Sequence, residues 1–348
     1  MTLATAWFVL VALMLAVYVV LDGFDLGAGI LHPWLGRNEG ERGVVLRAVG
    51  PVWDGNEVWL IAGGATLYFA FPKLYATSFS GFYLPLIIVL WLLVFRAIGI
   101  ELRHHATSKL WTDACDFAFA AASLLLAAFF GAALGNVVRG VPLDEAGTFF
   151  EPLWTDFRVG DETGILDWYT ILVAVHATVA LVMHGALWLA YRAVGDIRRR
   201  ARRAAGAAWL AVLPLTAATT VATFAVQPRL AHNLEAHPVG LVFPGLAVAG
   251  LVAIPLRLRR RRHRSAFFGS VAYLLGMLTS AAYGIYPYVL PARDPQHGLT
   301  LHEAATHPEG LALGLWWWVP GMLLAVGYFV FLYTHLPKDL SPEDGPAH

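Results

Sequence analysis

The chain has 348 residues, of which 58% are hydrophobic and 14% are charged, and it carries no formal net charge at pH 7. About a quarter of the residues of a soluble domain are charged, so this composition excludes an ordinary soluble protein and indicates an integral membrane protein. The single cysteine, Cys115, excludes an intramolecular disulfide and a cysteine-ligated cluster. The first apolar run is too long for a signal peptide and follows no basic segment, so we expect it to remain as a membrane helix.

Nine apolar runs are long enough to cross about 30 Å of hydrocarbon as helices. They lie near residues 5–30, 53–74, 78–100, 113–138, 166–191, 204–226, 238–256, 266–290 and 310–335. The second run is the least regular, because it starts with Asp54, Asn56 and Glu57 and ends at Pro72. A re-entrant or interfacial helix is the alternative for this run.

The charges of the loops predict the orientation. The segments 192–203 and 257–264 each contain six arginines, and the positive-inside rule places both in the cytoplasm. Counting spans from them puts the N-terminus and the 139–165 loop outside and the C-terminus in the cytoplasm. That external loop is acidic, with Asp144, Glu145, Glu151, Asp156, Asp161 and Glu162. The run 53–74 must cross the membrane if the arginine-bearing connection before it is also to lie inside.

The sequence therefore predicts an all-α, polytopic membrane helical bundle with nine transmembrane helices. We expect one integral membrane domain over residues 1–348. Within it, residues 1–191 hold the N-terminal helices with the acidic motifs, and residues 204–336 hold the C-terminal helices.

Two acidic pairs lie in or beside the first two apolar runs, Asp22 with Asp25 and Asp54 with Glu57. An aspartate at the centre of a membrane helix costs roughly 2.5–3.5 kcal/mol, so such residues usually have a function. The predicted orientation brings all four carboxylates to the cytoplasmic side, where they could take up protons. Helix capping is the alternative. Capping suits Asp54 and Glu57, which lie at a predicted helix start. It does not suit Asp22 and Asp25, because we expect them at the C-terminal end of the first helix, where negative charge is unfavourable.

Five further polar residues in the predicted spans are candidate site residues. We expect Arg96 to reach the membrane interface with its charged end, and Asp113 and Asp116 to cap the fourth helix. His176 and His184 are the histidines that we place well inside a span, and haem ligation by them is a minor alternative. The external histidines lack the close spacing of a zinc site, and no nucleotide-binding loop is present. We therefore expect no metal bound by this chain and no nucleic-acid partner.

Glycine pairs with GxxxG spacing at Gly131 and Gly135, and at Gly310 and Gly314, predict close approach of helices. This signal is weak, because such pairs are frequent by chance in glycine-rich spans.

Three motifs are more distinctive than these patterns. They are DGFDLG at residues 22–27, GPVWDGNEVWL at 50–60 and FSGFYLP at 79–85. Together they strongly resemble subunit II of the cytochrome bd-type quinol oxidases, and weaker matches continue to the last helix.

The resemblance implies a terminal oxidase complex that oxidises quinol, reduces oxygen to water and is electrogenic. Subunit I holds the haems b and d in this family and forms a heterodimer with subunit II. A small accessory subunit is possible. Subunit II is expected to be a non-catalytic, proton-conducting partner, with two four-helix bundles and one peripheral helix, in the bacterial cytoplasmic membrane. The resemblance leaves open whether the haems include d or are only b-type, and whether the quinol is ubiquinol or menaquinol.

The motifs also transfer roles to single residues. Asp22 and Asp54 match the acidic positions of the family's proton inlet, and Asp25 matches an accompanying acid. Glu57 is an acid where some relatives carry an amide, and we expect it to share a proton with Asp54. Whether Asp25 and Glu57 are functional or caps stays open.

Some members of the family bind a structural quinone in this subunit, and we expect Trp53 and Trp59 to be its contacts. Two other functions fit the same residues. A proton-coupled secondary transporter would use the carboxylates to carry coupling protons, although we see neither an inverted repeat nor paired broken helices. A purely structural assembly partner would use them as caps.

Overall fold

The computed structural model describes residues 2–105, 108–160, 163–294, 296–337 and 339–344. Asp161 and Glu162, which we counted in the acidic loop, lie outside the described residues. The first part contains α1 (Leu3–Leu35), α2 (Glu39–Val49), α3 (Trp53–Ala70), α4 (Pro72–Gly81), α5 (Tyr83–Glu101), α6 (Lys109–Arg139) and α7 (Trp168–Arg192). The second part contains α8 (Gly195–Val226), α9 (Arg229–Ala236), α10 (Val242–Arg259), α11 (His263–Ile285), β1 (Tyr288–Leu290), β2 (Leu299–Thr300), α12 (Leu301–Ala304) and α13 (Pro308–His335). Two 3₁₀ turns, Leu102–His105 and Pro238–Leu241, follow α5 and precede α10, and β1 pairs antiparallel with β2.

Eight helices of the described residues are long and apolar enough to cross a membrane: α1, α5, α6, α7, α8, α10, α11 and α13. The all-helical membrane fold is thereby confirmed. The predicted run 53–74 is not among the eight, and it is divided between α3 and α4 at Phe71. Pro72 opens α4 because proline has no backbone N–H to continue the preceding helix. Nine crossing helices therefore stay a prediction.

Several segments that we predicted as loops are helical. The arginines of 192–203 lie mostly in the first turns of α8, and the connection after the first span contains α2. The predicted position of Asp22 and Asp25 at a helix end is wrong, because α1 continues to Leu35 and both aspartates lie within it, fully buried. The glycines that follow them allow α1 to pack closely against α7, and this packing accompanies the continuation of the helix.

Close backbone contact places α1 against α7. A Cβ atom added to Gly27 would lie 2.9 Å from the Cα atom of Gly185, so glycine is required at this crossing. The predicted approach at Gly131 and Gly135 is confirmed, because a Cβ on Gly135 would lie 3.0 Å from Thr170 Cα on α7. With α6 and α7 packed around it, α1 becomes the central helix of the first part.

The peripheral faces of the molecule are apolar and exposed. On α13 only Leu311 and Gly314 are buried, whereas Trp316 is 81% exposed. Gly314 packs against the ring of Trp7, at 2.9 Å from an added Cβ, whereas Gly310 meets only the side chain of Thr306 at 3.6 Å. Exposed apolar residues of this kind are what a helix presents to lipid.

Candidate functional site: a buried carboxylate network

Arg96 of α5 is the centre of the site. Its guanidinium donates to Asp22 Oδ1 of α1 at 2.6 Å and to Glu57 Oε2 of α3 at 2.8 Å, so it joins three helices. The prediction that Arg96 reaches the interface is wrong, because the residue is fully buried. Two carboxylates from neighbouring helices offset the cost of burying its charge. The sequence around Arg96 does not show these partners, because they lie on other helices.

A second branch of the network surrounds Asp25. The side-chain amide of Asn56 donates to Asp25 Oδ2 at 2.7 Å and to the Leu21 carbonyl oxygen at 3.3 Å. The hydroxyl of Tyr333 on α13 donates to Asn56 Oδ1 at 2.7 Å. Asn56 belongs to the second motif, so its position next to acidic residues was a usable signal. Tyr333, 277 residues away in sequence, offered none.

The network retains hydrogen-bonding capacity that the described residues do not use. Asp22 Oδ2, Asp25 Oδ1, the Tyr18 hydroxyl and Arg96 Nε are all buried and have no hydrogen-bond partner among the described residues. Glu57 is the member nearest to solvent, with 20% of its side chain exposed. A carboxylate with one oxygen free can take up or release a proton there while the other oxygen keeps accepting its hydrogen bond.

Asp54 lies outside the buried part of the network. It is exposed in the first turn of α3, and its Oδ1 accepts a hydrogen bond from the Gly55 backbone N–H at 2.7 Å. Glu57 is instead engaged by Arg96. The pairing is therefore between helices, Asp22 with Glu57 through Arg96, rather than within each acidic pair as the spacing suggested.

The two tryptophans have different surroundings. The indole N–H of Trp53 donates to Glu101 Oε1 at 3.1 Å, and its ring centre lies 5.9 Å from the guanidinium carbon of Arg96. Trp59 is buried against Phe329, with ring centres 5.5 Å apart, and its indole N–H has no partner among the described residues. Of the two, Trp59 alone has a free donor for a ligand.

Asp116 forms a separate ionic cluster. It accepts from Arg103 Nε at 2.6 Å, lies 2.7 Å from His32 Nε2, and pairs with Arg42 at 2.9 Å. The prediction that it caps the fourth helix is wrong, because α6 begins at Lys109 and places Asp116 two turns further in, facing α1. His32 is also a buried histidine inside α1, which our search for inward histidines missed because it lies close to the predicted end of that span.

His176 and His184 make hydrogen bonds within the chain. Nε2 of His176 lies 2.7 Å from the Tyr273 hydroxyl. His184 uses both ring nitrogens, Nδ1 with Ser270 Oγ at 2.7 Å and Nε2 with the Val20 carbonyl oxygen at 2.9 Å. No group of three or more potential metal ligands occurs in the part of the chain that the structure describes.

A second buried arginine, Arg139, lies at the end of α6. It forms ion pairs with Asp167 and Glu151 and donates to Asn136 Oδ1 at 2.7 Å. It also donates to the carbonyl oxygens of Gly164 and of its neighbour Gly140. Burial raises the pKa of Glu151, and the charge of Arg139 opposes that shift. Asp167 additionally caps α7 through two backbone N–H groups, so this cluster fastens a helix start to a loop.

Comparisons with known proteins identify the family. Residues 3–336 match the model of the cytochrome bd terminal oxidase subunit II family. The chain belongs to this family. It is 29% identical to a probable cytochrome oxidase subunit 2 of Haemophilus influenzae, over 95% of this chain and 93% of that protein. It is also 29% identical to the cytochrome bd-I ubiquinol oxidase subunit 2 of Escherichia coli K12, over 94% and 91%.

A solved structure supports the fold of this subunit II chain. The bd oxidase from Geobacillus thermodenitrificans matches with a TM-score of 0.74 and 20% sequence identity, over 96% of this chain and 98% of that one. The family motifs meet at the carboxylate network. DGFDLG provides Asp22 and Asp25 on α1, and GPVWDGNEVWL provides Trp53, Asn56 and Glu57 on α3. The chain is thus an integral membrane subunit of a bd-type terminal oxidase, a complex that includes a subunit I and haem.

Proposed function

We propose that this chain conducts protons for a quinol-oxidising, oxygen-reducing complex of the bacterial cytoplasmic membrane, and supports its assembly with subunit I. The observation that carries the proposal is the bridge that Arg96 makes between Asp22 and Glu57. Arg96 and Asp22 are fully buried, whereas 20% of the Glu57 side chain is exposed to solvent. A permanently charged guanidinium lets two carboxylates remain at membrane depth while protons join and leave their free oxygens.

The order of exposure suggests the direction of transfer. Asp54 is exposed at the start of α3, Glu57 is partly exposed one turn later, and Asp22 and Asp25 are fully buried. Under the positive-inside orientation, with nine spans and the N-terminus outside, Asp54 faces the cytoplasm. A proton would pass from water to the Asp54 and Glu57 end, then to Asp22, and then to Asp25 one turn further along the α1 face.

The haems b and d are placed in subunit I by this proposal. His176 and His184 support that assignment, because their ring nitrogens already hold Tyr273, Ser270 and a backbone carbonyl. In the complex the haems would supply the redox chemistry, and this chain would deliver protons and hold helices in place.

A structural quinone fits one of the two predicted contacts. The buried indole N–H of Trp59 is free to donate to a quinone carbonyl, and the Phe329 ring beside it is a stacking surface. Trp53 does not suit this role, because Glu101 already accepts its only side-chain donor.

The Asp54→Asn variant tests proton conduction. We expect oxygen consumption by the purified complex to fall at least several-fold, since an amide cannot carry a proton, while redox difference spectra show unchanged haem content per complex. Asp156→Asn, at an exposed loop position, is the matched control and should turn over like wild type. Normal turnover of Asp54→Asn would show that Asp54 does not conduct protons and acts only as a helix cap. A haem-free preparation with proton-coupled solute uptake would instead indicate a transporter.

A further inference from the structure

The turn between α10 and α11 concentrates positive charge. We call residues 257–264 the arginine turn; it contains six arginines and His263 in eight positions. Two backbone hydrogen bonds close it, from Arg261 N–H to the Leu258 carbonyl at 3.0 Å and from Arg262 N–H to the Arg257 carbonyl at 2.9 Å. Arg261 has a φ of 56°, a left-handed conformation that is unusual for a residue with a side chain. The cations are therefore held on a compact turn rather than on a long loop.

Three of the neighbouring arginines of α8 have carboxylate partners, whereas among the described residues no arginine of the arginine turn has one. Arg198 pairs with Asp339 at 2.8 Å and Arg199 with Asp196 at 2.9 Å. Arg200 pairs with Glu41 at 2.7 Å. Within the part of the chain that the structure describes, no ion pair joins an arginine of the arginine turn to an acidic residue. Two segments with the same count of arginines therefore differ in how much positive charge remains unbalanced.

The start of α11 adds to this imbalance. A helix N-terminus carries partial positive charge and is usually occupied by acidic residues, as at α2, which has Glu39 and Glu41 in its first turn. The first turn of α11 has no acidic residue and no side-chain cap, and it holds His263 and Arg264 instead. A local sequence that opposes the helix dipole without compensation within the chain indicates an anion supplied from outside.

Side chains from α8 approach the same place. Arg202 donates to the Leu258 carbonyl oxygen at 3.4 Å, which links α8 to the arginine turn. Arg198, Arg202 and Arg261 lie close enough to His263 for their charges to repel a positive charge on its ring. Cations from two helical hairpins are thus brought together, although their mutual repulsion disfavours it.

Exposed apolar surface begins directly beside these charges. Leu256, just before the turn, is 52% exposed, and Phe268, one turn into α11, is 53% exposed. The guanidinium of Arg264 lies 5.8 Å from the centre of the Phe268 ring. A partner for this surface must present an anion next to hydrocarbon, which a phospholipid does and a soluble anion does not.

We propose that the arginine turn binds the headgroup phosphate of an anionic phospholipid, whose acyl chains lie along the exposed faces of α10 and α11. Guanidinium groups suit phosphate because they donate two parallel hydrogen bonds to it. The site lies on a different hairpin from the carboxylate network, so it does not depend on the proposed proton route.

The test compares two variants of the intact complex that remove equal charge. Arg261→Gln with Arg264→Gln alters the arginine turn, and Arg199→Gln with Arg203→Gln alters α8. Each complex is mixed with equal amounts of phosphatidylglycerol and phosphatidylcholine in detergent, washed, and its retained lipid is measured by mass spectrometry. We expect wild type and the α8 variant to retain phosphatidylglycerol, and the arginine-turn variant to retain about thirtyfold less, since each of its two missing arginines contributes about 1 kcal/mol near a phosphate.

Three results would overturn the proposal. These are equal retention by both variants, equal retention of the two lipids by wild type, and release of phosphatidylglycerol by millimolar inorganic phosphate, which would indicate a site for free anions. Should the double variant fail to assemble, Arg264→Gln alone provides the same comparison at an exposed position. Arg261→Lys with Arg264→Lys keeps the positive charge that orients the chain and should retain more lipid than the glutamine variant.

Discussion

Arg96 and Arg139 are both buried arginines with two acidic partners, yet their surroundings differ. Every nitrogen of the Arg139 guanidinium donates to a partner, from Asp167 and Glu151 to backbone carbonyls. Among the described residues Arg96 Nε has no partner, and each cluster keeps one acidic oxygen without a partner, Asp22 Oδ2 and Glu151 Oε2. The Arg139 cluster is closed to solvent, whereas the Arg96 cluster reaches solvent at Glu57 and can therefore also exchange protons.

The largest effect is expected from breaking the Arg139 cluster. Arg139→Gln removes the arginine that pairs with the buried Asp167 and Glu151, and we expect a loss of about 3–5 kcal/mol in the free energy of unfolding. Thermal melting of the complex and the yield of assembled complex measure it. Arg158→Gln, which removes a largely exposed arginine, is the control. A wild-type melting temperature for Arg139→Gln would contradict the structural role of this cluster.

Glu57→Gln tests the Arg96 cluster. Asp22 still neutralises Arg96, so we expect stability to change by less than about 1 kcal/mol, in line with a partly exposed ion pair. Oxygen consumption should nevertheless fall by about tenfold or more, because an amide cannot relay protons. Turnover and melting temperature are measured on the same preparation. A variant that loses stability and keeps its turnover per haem would make Arg96 a structural centre like Arg139.

Tyr333→Phe probes the outer branch of the network. Without the hydroxyl, Asn56 Oδ1 loses its donor, and we expect a loss of about 1 kcal/mol in stability with a small effect on turnover. Tyr328→Phe, at an exposed position of the same helix, is the matched control. Indistinguishable melting of the two variants would mean that α13 does not support the network through this bond.

The smallest effect concerns Glu41, which pairs with Arg200 at 2.7 Å and has 12% of its side chain exposed. Burial alone would raise the pKa of Glu41, but hydrogen bonds from the Arg200 side chain and the Arg37 backbone N–H outweigh burial and lower it. A lowered pKa in the folded state means that the contribution to stability is present above the unfolded value, about 4.3, and is lost as the pH falls through the folded value.

Acid titration of the melting temperature measures this contribution. Glu41→Gln should be less stable than wild type by at most about 1 kcal/mol at pH 7, and this difference should shrink as the pH falls below about 4. Glu145→Gln, at an exposed loop position, should follow wild type at each pH. A constant difference between Glu41→Gln and wild type would show that the contact depends on packing rather than on charge.

Features that depend on local sequence are predicted better than features that depend on distant contacts. Hydropathy located the eight helices of the described residues that are long and apolar enough to cross a membrane, because a long apolar run is a local property. It could not foresee that α1 extends past Asp25 to Leu35, since the packing of Gly27 on Gly185 makes that extension favourable. Arg96 was misassigned for a similar reason: its two partners lie 74 and 39 residues away in the sequence.

The class of the protein, its apolar spans and its resemblance to the family can be read from composition, run length and three contiguous motifs. The same motifs indicate that Asp22, Asp25 and Glu57 matter, since acids are costly at membrane depth. How these acids combine depends on contacts between helices. Arg96, Asn56 and Tyr333 reach the carboxylates from other helices, and charge pairing between helices depends on packing that no local pattern encodes.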